Sequence, residues 1–259
     1  MLNFFKKKDK ESKDEIFVEP KEDYSNIEDI VDYFKKETGV SFEKQITILN
    51  NKVVTFCRLR QIYSFTKLLD IVKTDKKTKQ ELIDYLTTNE TFFYREVQQI
   101  KDLVHLVQNS HKDVEILCAP SSTGEEPYSI VIALLEAGVL ANKFKVTGID
   151  INSDALKRAS IAQYKERNIR NLSKDVVNKY FTKNEDIYVL RKEITSLVSF
   201  KQINIFDDNF KSLGKFDFIF SRNMLIYFDK ETKLKAKEIL ESMRKDKMHG
   251  VFFGHADLF

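Results

Sequence analysis

Two adjacent glutamates, Glu125 and Glu126, directly follow Gly124 in the middle of the chain. The residues before them, 113–117, are predicted to form a buried strand, and the apolar run 128–140 is long enough for a helix. The proline after the glutamates suits the first turn of that helix, because its missing N–H would have no helical partner there. A strand, a tight loop and a helix N-terminus together indicate the place where open α/β sheets bind cofactors.

The charge of this loop restricts the class of cofactor. A dinucleotide site needs several glycines so that the backbone can approach a pyrophosphate. Here one glycine precedes two carboxylates. The carboxylates interact favourably with the helix dipole but would repel a pyrophosphate. S-adenosyl-L-methionine, which carries a sulfonium and an ammonium, fits better. A plain helix cap is the alternative, because glutamates are common in first turns, and the loop alone leaves both interpretations open.

Two further polar residues end predicted strands. Asp150 follows a strand predicted at 144–149, about two dozen residues past the loop, which is the place of a ribose-binding carboxylate in nucleotide-binding folds. Asp150 could instead cap the next helix, although Asn152 or Ser153 can take that position. Asn204 ends the predicted third parallel strand and is expected to face the same crevice.

Arg95 stands beside three consecutive aromatic residues, 92–94. The aromatic residues alone are more typical of a core than of a cofactor site. A guanidinium next to apolar surface usually has a carboxylate or phosphate partner, so Arg95 is a candidate functional residue.

Composition restricts the class of protein. The 259 residues are 42% hydrophobic, and their formal charge is +3. This charge is too small to indicate a nucleic-acid-binding protein. Cys57 and Cys118 are far apart and form no metal-binding spacing, so neither a disulfide framework nor a metal site is expected. No run of about 18 apolar residues and no signal peptide occur, so no membrane insertion is expected and a cytoplasmic protein is the default.

The predicted elements give an α/β fold preceded by an all-α segment. We expect a basic tail at 1–21, a helical N-terminal domain at 22–86, and an α/β domain at 87–259. A small antiparallel insert is expected at about 165–196. The predicted helices span 25–39, 42–63, 65–72, 77–86, 97–108, 128–140, 153–164, 173–181 and 230–244, and the parallel strands span 113–117, 144–149, 198–204, 216–221 and 250–254.

Four separated motifs along the chain belong together. They are Thr87-Thr88-Asn89-x-Thr91-x-Phe93-x-Arg95-Glu96, Ser122-Thr123-Gly124-Glu125-Glu126-Pro127-Tyr128-Ser129, Phe216-Asp217-x-Ile219-Phe220-x-Arg222-Asn223, and Ile226-Tyr227-Phe228-Asp229. With Gly254-His255 they are similar to the motifs of the chemotaxis receptor methyltransferases, the CheR family, over about 24–259. Their occurrence in the family's order makes the resemblance specific.

The resemblance implies a Rossmann-like class I methyltransferase that methylates glutamate side chains on chemoreceptor cytoplasmic signalling domains. S-adenosyl-L-methionine would be the cofactor and S-adenosyl-L-homocysteine the product. The family's pattern matches Arg95 and Tyr227 as catalytic residues, and Lys52, Arg58 and Arg60 as receptor-binding residues. From the sequence alone, those three residues are more typical of a solvated helix face. The matching cofactor-binding positions are Asn89, Thr91, Arg95, Gly124, Glu126, Asp150, Asn204, Ile205, Arg222 and Asn223.

The residue types agree with this chemistry. A glutamate with an ordinary pKa of about 4.3 is already a nucleophilic carboxylate at neutral pH, so no general base is required. A methyltransferase of nucleic acids and a non-catalytic cofactor sensor remain alternatives. A monomer is expected. The chain ends just after the fifth strand, where the family continues into a hairpin, so a shorter sheet or a truncation is expected. The segment 182–187 lacks the glycine of relatives that tether a receptor tail, which predicts a tether-independent enzyme.

Overall fold

The computed structural model describes residues 21–42, 45–110, 112–246 and 250–257. Nearly all of the predicted basic tail at 1–21 lies outside these residues. No helix in the described ranges is both long and apolar enough to cross a membrane.

The N-terminal part consists of helices with a shared apolar core. The amphipathic pattern buries Ile30 and Phe34 of the first helix against Leu49, Val53 and Phe56 of the second, which are all at most 1% exposed. These helices are α1 (Ile27–Thr38), α2 (Ile46–Leu59), α3 (Phe65–Thr74) and α4 (Lys76–Leu86).

A five-stranded parallel sheet forms the centre of the remaining chain, with the strand order β6-β2-β1-β7-β8. Its strands are β1 (Val114–Cys118), β2 (Phe144–Asp150), β6 (Val198–Gln202), β7 (Phe218–Ser221) and β8 (Phe252–Phe253). The order reverses between β1 and β7, and in sheets of this kind ligands bind at such a point, outside the carboxyl ends of the strands. The flanking helices are α5 (Val97–Gln108), α6 (Glu125–Glu136), α7 (Ser153–Ile161) and α11 (Lys230–Ser242).

A small antiparallel sheet is inserted between α7 and β6. Its three strands have the order β3-β5-β4, so β5 is central and β4 lies at one edge. The insert contains β3 (Gln163–Lys165), α8 (Glu166–Ile169), α9 (Lys174–Tyr180), β4 (Phe181–Asn184), β5 (Ile187–Leu190) and α10 (Lys192–Thr195). The fold class predicted from the sequence is confirmed: a Rossmann-like sheet with a small β insert follows an all-α segment.

Several predicted boundaries were wrong. The helix predicted at 153–164 ends at Ile161, because Ala162 is in the left-handed region (φ 53°) and the next residues pair with β5. The residues that follow Ala162 form β3, the first strand of the insert. The third parallel strand ends at Gln202, so Asn204 lies in the turn beyond it.

Polar contacts hold the helical part against the carboxyl ends of the sheet. Asp84 on α4 accepts hydrogen bonds from the backbone N–H and the hydroxyl of Ser153, both at 2.6 Å. The Asn152 amide donates to the Asp84 carbonyl (3.1 Å) and the Thr87 hydroxyl (2.8 Å), while its side-chain oxygen caps α7. These bonds give partners to the free N–H groups at the N-terminus of α7 and fix α4 over the end of β2.

Candidate active site

A cavity of about 870 Å³ lies between the helical part and the carboxyl ends of the parallel strands. Residues that follow β1, β2, β6 and β7 form its floor, and residues from the end of α1 through α2 form the opposite wall. Of the residues predicted to act in binding or catalysis, the cavity wall includes Asn89, Thr91, Arg95, Glu126, Asp150, Asn204, Ile205, Arg222, Asn223, Tyr227 and Lys52.

The two adjacent glutamates at the start of α6 have different environments. Glu125 is fully buried and accepts hydrogen bonds from the Thr123 hydroxyl (2.6 Å) and the Asn168 amide (2.8 Å). Burial raises the pKa of Glu125 above its usual range, and these hydrogen bonds oppose that shift. Glu126 is 8% exposed and lines the cavity. Of the two carboxylates, Glu126 is therefore the one available to a ligand.

Glu126 forms a buried ion pair with Arg222. Its Oε2 accepts a hydrogen bond from the Arg222 Nε, and Arg222 Nη1 donates to the carbonyls of Arg95 (2.7 Å) and Glu96 (3.3 Å). The other oxygen, Glu126 Oε1, is buried without a hydrogen-bond partner among the described residues. An unpaired buried acceptor costs about 1–3 kcal/mol, so a donor from a ligand would remove that cost. The ammonium of S-adenosyl-L-methionine is such a donor.

Asp150 ends β2 and is 6% exposed. Its oxygens accept the backbone N–H groups of Ser122 and Asn152, each at 2.8 Å. Burial raises the pKa of Asp150 to about 6, and the backbone N–H groups only partly oppose this effect. A carboxylate has about four lone-pair sites, so Asp150 can still accept hydrogen bonds from two hydroxyls. The residues present therefore fit both the ribose and the ammonium of S-adenosyl-L-methionine.

The segment that carries Asn89, Thr91 and Arg95 is anchored by Phe93. The Phe93 ring is fully buried and makes edge contacts with two rings of the small sheet, 4.8 and 5.4 Å away. Tyr94 is in the left-handed region (φ 55°), as is Glu96 (φ 48°). Arg95 is half-buried, and its Nη1 donates to the Glu90 carbonyl (3.1 Å). This fixed backbone holds Arg95 at the cavity wall.

Tyr227 and Asn204 join the sheet to the helical part. The carbonyl of Tyr227 accepts the N–H of Ser41 (2.8 Å), beyond the end of α1. The side chain of Asn204 donates to the Glu37 carbonyl (3.0 Å) and accepts the N–H of Phe206 (3.1 Å). Both residues line the cavity, and these bonds fix the distance between its two walls.

Gly124 is not part of the cavity wall, unlike the other predicted cofactor residues. Its φ of 92° allows the turn into α6, and a Cβ at this position would lie 3.0 Å from both Tyr128 and Ala159. The turn and its close packing therefore explain why glycine is needed at this position.

The three predicted receptor-binding residues are separated. Lys52 lines the cavity. Arg58 makes two hydrogen bonds to Glu22, at 3.0 and 2.6 Å. Arg60 pairs with Glu81 (2.9 Å) and stacks on Phe56, with its guanidinium carbon 3.7 Å from the ring centroid. Lys52 alone of the three is therefore in the cavity wall.

The structure adds functional candidates that the sequence reasoning missed. Ser122, Thr87 and Lys230 line the cavity, and Asp257 binds the segment that carries Arg222 and Tyr227. Ser122 lay within a recognised motif, whereas nothing in the sequence pattern linked Asp257 to the cavity. No group of three or more His, Cys, Asp or Glu residues that could hold a metal occurs within 21–42, 45–110, 112–246 and 250–257.

Comparison with known proteins gives consistent matches. Residues 89–259 match the family described as CheR methyltransferase, SAM binding domain. The chain is 35% identical over 233 residues to a chemotaxis protein methyltransferase of Campylobacter jejuni, a match that covers 90% of this chain and 88% of that protein. A chemotaxis protein methyltransferase of Salmonella typhimurium is 30% identical over 217 residues, which cover 81% of this chain and 75% of that protein.

Proposed function

Because the chain belongs to the CheR family of methyltransferases, we propose that the cavity at the carboxyl ends of the sheet carries out that family's reaction. The chain is a protein-glutamate O-methyltransferase of chemotaxis that uses S-adenosyl-L-methionine and acts on chemoreceptors. One observation carries the assignment to this cavity: buried Asp150, the Glu126–Arg222 pair and Arg95 meet in its wall.

In the proposed binding mode, the cavity holds the cofactor through its polar ends. Asp150 accepts hydrogen bonds from the ribose hydroxyls, and the unpaired oxygen of Glu126 accepts one from the ammonium. S-adenosyl-L-methionine supplies a methyl group that its sulfonium makes electrophilic. The same contacts hold the product, S-adenosyl-L-homocysteine. The rest of the proposed cofactor wall is Asn89, Thr91, Asn204, Ile205, Arg222 and Asn223.

Arg95 and Tyr227 are the proposed catalytic residues. The substrate carboxylate is ionised at neutral pH and needs orientation rather than a base. Arg95 has five N–H donors, and among the described residues it uses Nη1 toward a backbone carbonyl, so donors remain for a carboxylate. Tyr227 is proposed to exclude water and to limit the space beside the reacting methyl group.

Lys52 is proposed to guide an acidic receptor segment to the cavity, together with Arg58 and Arg60. Lys52 contributes most, because it lies in the cavity wall and, among the residues that the structure describes, forms no ion pair of the kind that holds Arg58 and Arg60. The two arginines would have to exchange their carboxylate partners for those of the receptor. Exposed pairs of this type are worth only about 0–1 kcal/mol, so the exchange is feasible.

We further propose that methylation does not depend on a receptor tail bound to the small sheet. The hairpin between β4 and β5 has only Glu185 and Asp186 in its turn, and Glu185 takes the positive φ (53°) that a glycine would favour. A longer loop that could hold a peptide is therefore lacking at this turn. The outer side of β4 pairs with no strand in the described chain, so a peptide titration must test the idea.

Calorimetric titration tests the cofactor part of the proposal. The chain should bind S-adenosyl-L-homocysteine more tightly than ATP or NAD, because the carboxylates of Glu126 and Asp150 in the cavity wall would repel phosphates. Asp150→Ala should weaken that binding by about 1–3 kcal/mol. Equal affinity for the three compounds would refute this use of the cavity. Micromolar binding of receptor C-terminal peptides, lost when the insert is deleted, would refute tether independence. The proposed monomer and cytoplasmic location are checked by sedimentation and cell fractionation.

A further inference from the structure

The last described segment contains a buried carboxylate, Asp257, that does not itself line the cavity. Asp257 is fully buried, and its side chain accepts three backbone N–H groups. Asn223 and Gly254 donate to Oδ2, the latter at 3.2 Å, and Ile226 donates to Oδ1 at 3.2 Å. One side chain therefore joins the segment after β8 to the segment after β7.

The segment 222–227, which Asp257 holds, carries five residues that line the cavity. Arg222, Asn223 and Tyr227 all lie in it, and each lines the cavity. Asn223 has a φ of 60°, in the left-handed region that non-glycine residues seldom occupy. Asparagine adopts this region more readily than most residues, and surrounding interactions stabilise the conformation further. The hydrogen bond from the Asn223 N–H to Asp257 is one such interaction, at the residue with the unusual φ.

The same terminal segment also contacts Glu96 and Gln99, which follow Arg95 in the chain. Glu96 accepts the N–H of His255 at 3.3 Å, and its carboxylate lies 3.1 Å from the His255 Nδ1. The Gln99 amide donates to the Phe253 carbonyl at 2.7 Å. The Glu96 carbonyl in turn accepts a hydrogen bond from Arg222. The segment 253–257 thus connects the wall that carries Arg95 with the wall that carries Arg222.

We propose that Asp257 is a positioning residue, which acts through backbone hydrogen bonds to hold Arg222, Asn223 and Tyr227 in the geometry needed for cofactor binding and methyl transfer. The expected effect of this role on methyl transfer rests on the function proposed above. Burial raises the pKa of Asp257, while its backbone hydrogen bonds oppose that shift. Gly254 belongs to the same arrangement, because a Cβ there would lie 3.0 Å from Asp257 Oδ2 and 3.1 Å from the Asn223 nitrogen.

The test compares Asp257→Asn with a matched control, Asp217→Asn. Asparagine keeps the size of the side chain but replaces one carboxylate oxygen with an NH₂ group, which cannot accept a hydrogen bond from a backbone N–H. Asp217 likewise accepts a backbone N–H, from Glu115 at 2.7 Å, but it lies at the amino end of β7, away from the cavity. The Asp257 variant loses hydrogen bonds to a charged acceptor. This loss should weaken S-adenosyl-L-homocysteine binding and lower kcat by roughly 10- to 100-fold. KM for a receptor signalling fragment should change less than about twofold, because the receptor binds mainly elsewhere.

The control variant should lose thermal stability but keep cofactor affinity and kcat. Gly254→Ala serves as a second variant if Asp257→Asn does not fold, and it should show the same loss of affinity and kcat. The proposal is overturned if either variant keeps affinity and kcat within twofold of wild type, or if Asp217→Asn shows equal losses. Hydrogen exchange at the Asn223 and Ile226 amides should also accelerate in Asp257→Asn and not in the control. That readout requires no catalysis, so it separates failure of the positioning role from failure of the proposed function.

Discussion

The ionisation of Asp150 should control cofactor affinity between pH 5 and 7. Burial raises its pKa to about 6. The carboxylate already accepts two backbone N–H groups, and the proposed ribose contacts require its remaining lone pairs. A protonated Asp150 would itself be a donor and would lose part of this capacity. Affinity for S-adenosyl-L-homocysteine should therefore weaken as the pH falls through 6.

The magnitude follows from the ionised fraction. With a pKa of about 6, that fraction rises from roughly 0.1 at pH 5 to roughly 0.9 at pH 7. If the ligand binds only the ionised form, the apparent Kd is the intrinsic Kd divided by this fraction, so the Kd should be about tenfold larger at pH 5. A tenfold change corresponds to about 1.4 kcal/mol.

Folding stability responds to the same group with the opposite sign. The folded-state pKa is raised from 3.8 to about 6, so the folded chain binds more protons than the unfolded chain between these values. The contribution of Asp150 to stability is therefore largest at low pH and falls as the pH rises from about 4 to about 6. Weaker binding at pH 5 thus could not be attributed to unfolding caused by protonation of this carboxylate.

Calorimetry of wild type and Asp150→Asn from pH 5 to 7 measures the effect. The variant should bind more weakly at pH 7, by roughly 10- to 100-fold, and its Kd should not vary with pH. A wild-type Kd that stays constant across this range would refute the reasoning. An equal pH slope in Asp150→Asn would assign the titration to a different group.

Four further predictions concern catalysis, docking and stability. Arg95→Ala should lower kcat about 100-fold with little change in melting temperature, since within the described ranges its side chain bonds one backbone carbonyl, and a normal rate would remove its role. Tyr227→Phe should be milder than Tyr227→Ala if the ring's shape matters more than its hydroxyl, which steady-state kinetics can decide. Lys52→Glu should raise KM for the receptor about 3- to 10-fold, and more than Arg58→Glu does, with a dependence on salt; equal effects would contradict the special position of Lys52. Asp84→Ala should lower the free energy of unfolding by about 1–2 kcal/mol in urea denaturation, because it removes the two hydrogen bonds from Ser153 that join α4 to the first residue of α7.

The sequence predicted the centre of the fold well, because local signals there agree with one another. The strand, loop and helix around Gly124 combine a buried strand, a turn residue and a proline in the first helical turn, and all three are present. The β3 strand was missed for the opposite reason. Its pairing with β5 is a long-range contact, and the left-handed Ala162 that ends α7 has no signature in the sequence.

The sequence predicted which residues belong to the candidate site, but not the orientation or the partners of each side chain. Spacing could not show that Glu125 turns inward toward Thr123 and Asn168 while Glu126 faces the cavity. It also could not show that Arg58 is already paired with Glu22, 36 positions away. Asp257 was invisible because its partners, such as Asn223, come from a different strand end. Contacts distant in sequence fix these details, and no periodic pattern records them.

Methyl transfer to a purified receptor signalling fragment tests the central claim most directly. The chain, the fragment and S-adenosyl-L-methionine carrying a labelled methyl group are incubated, and the modified side chains are located by mass spectrometry. We expect label on glutamate carboxylates as base-labile methyl esters, formed by wild type and strongly reduced in Arg95→Ala. The account would be contradicted if wild type bound S-adenosyl-L-homocysteine normally but transferred no label. Label on residues other than glutamate would contradict it as well.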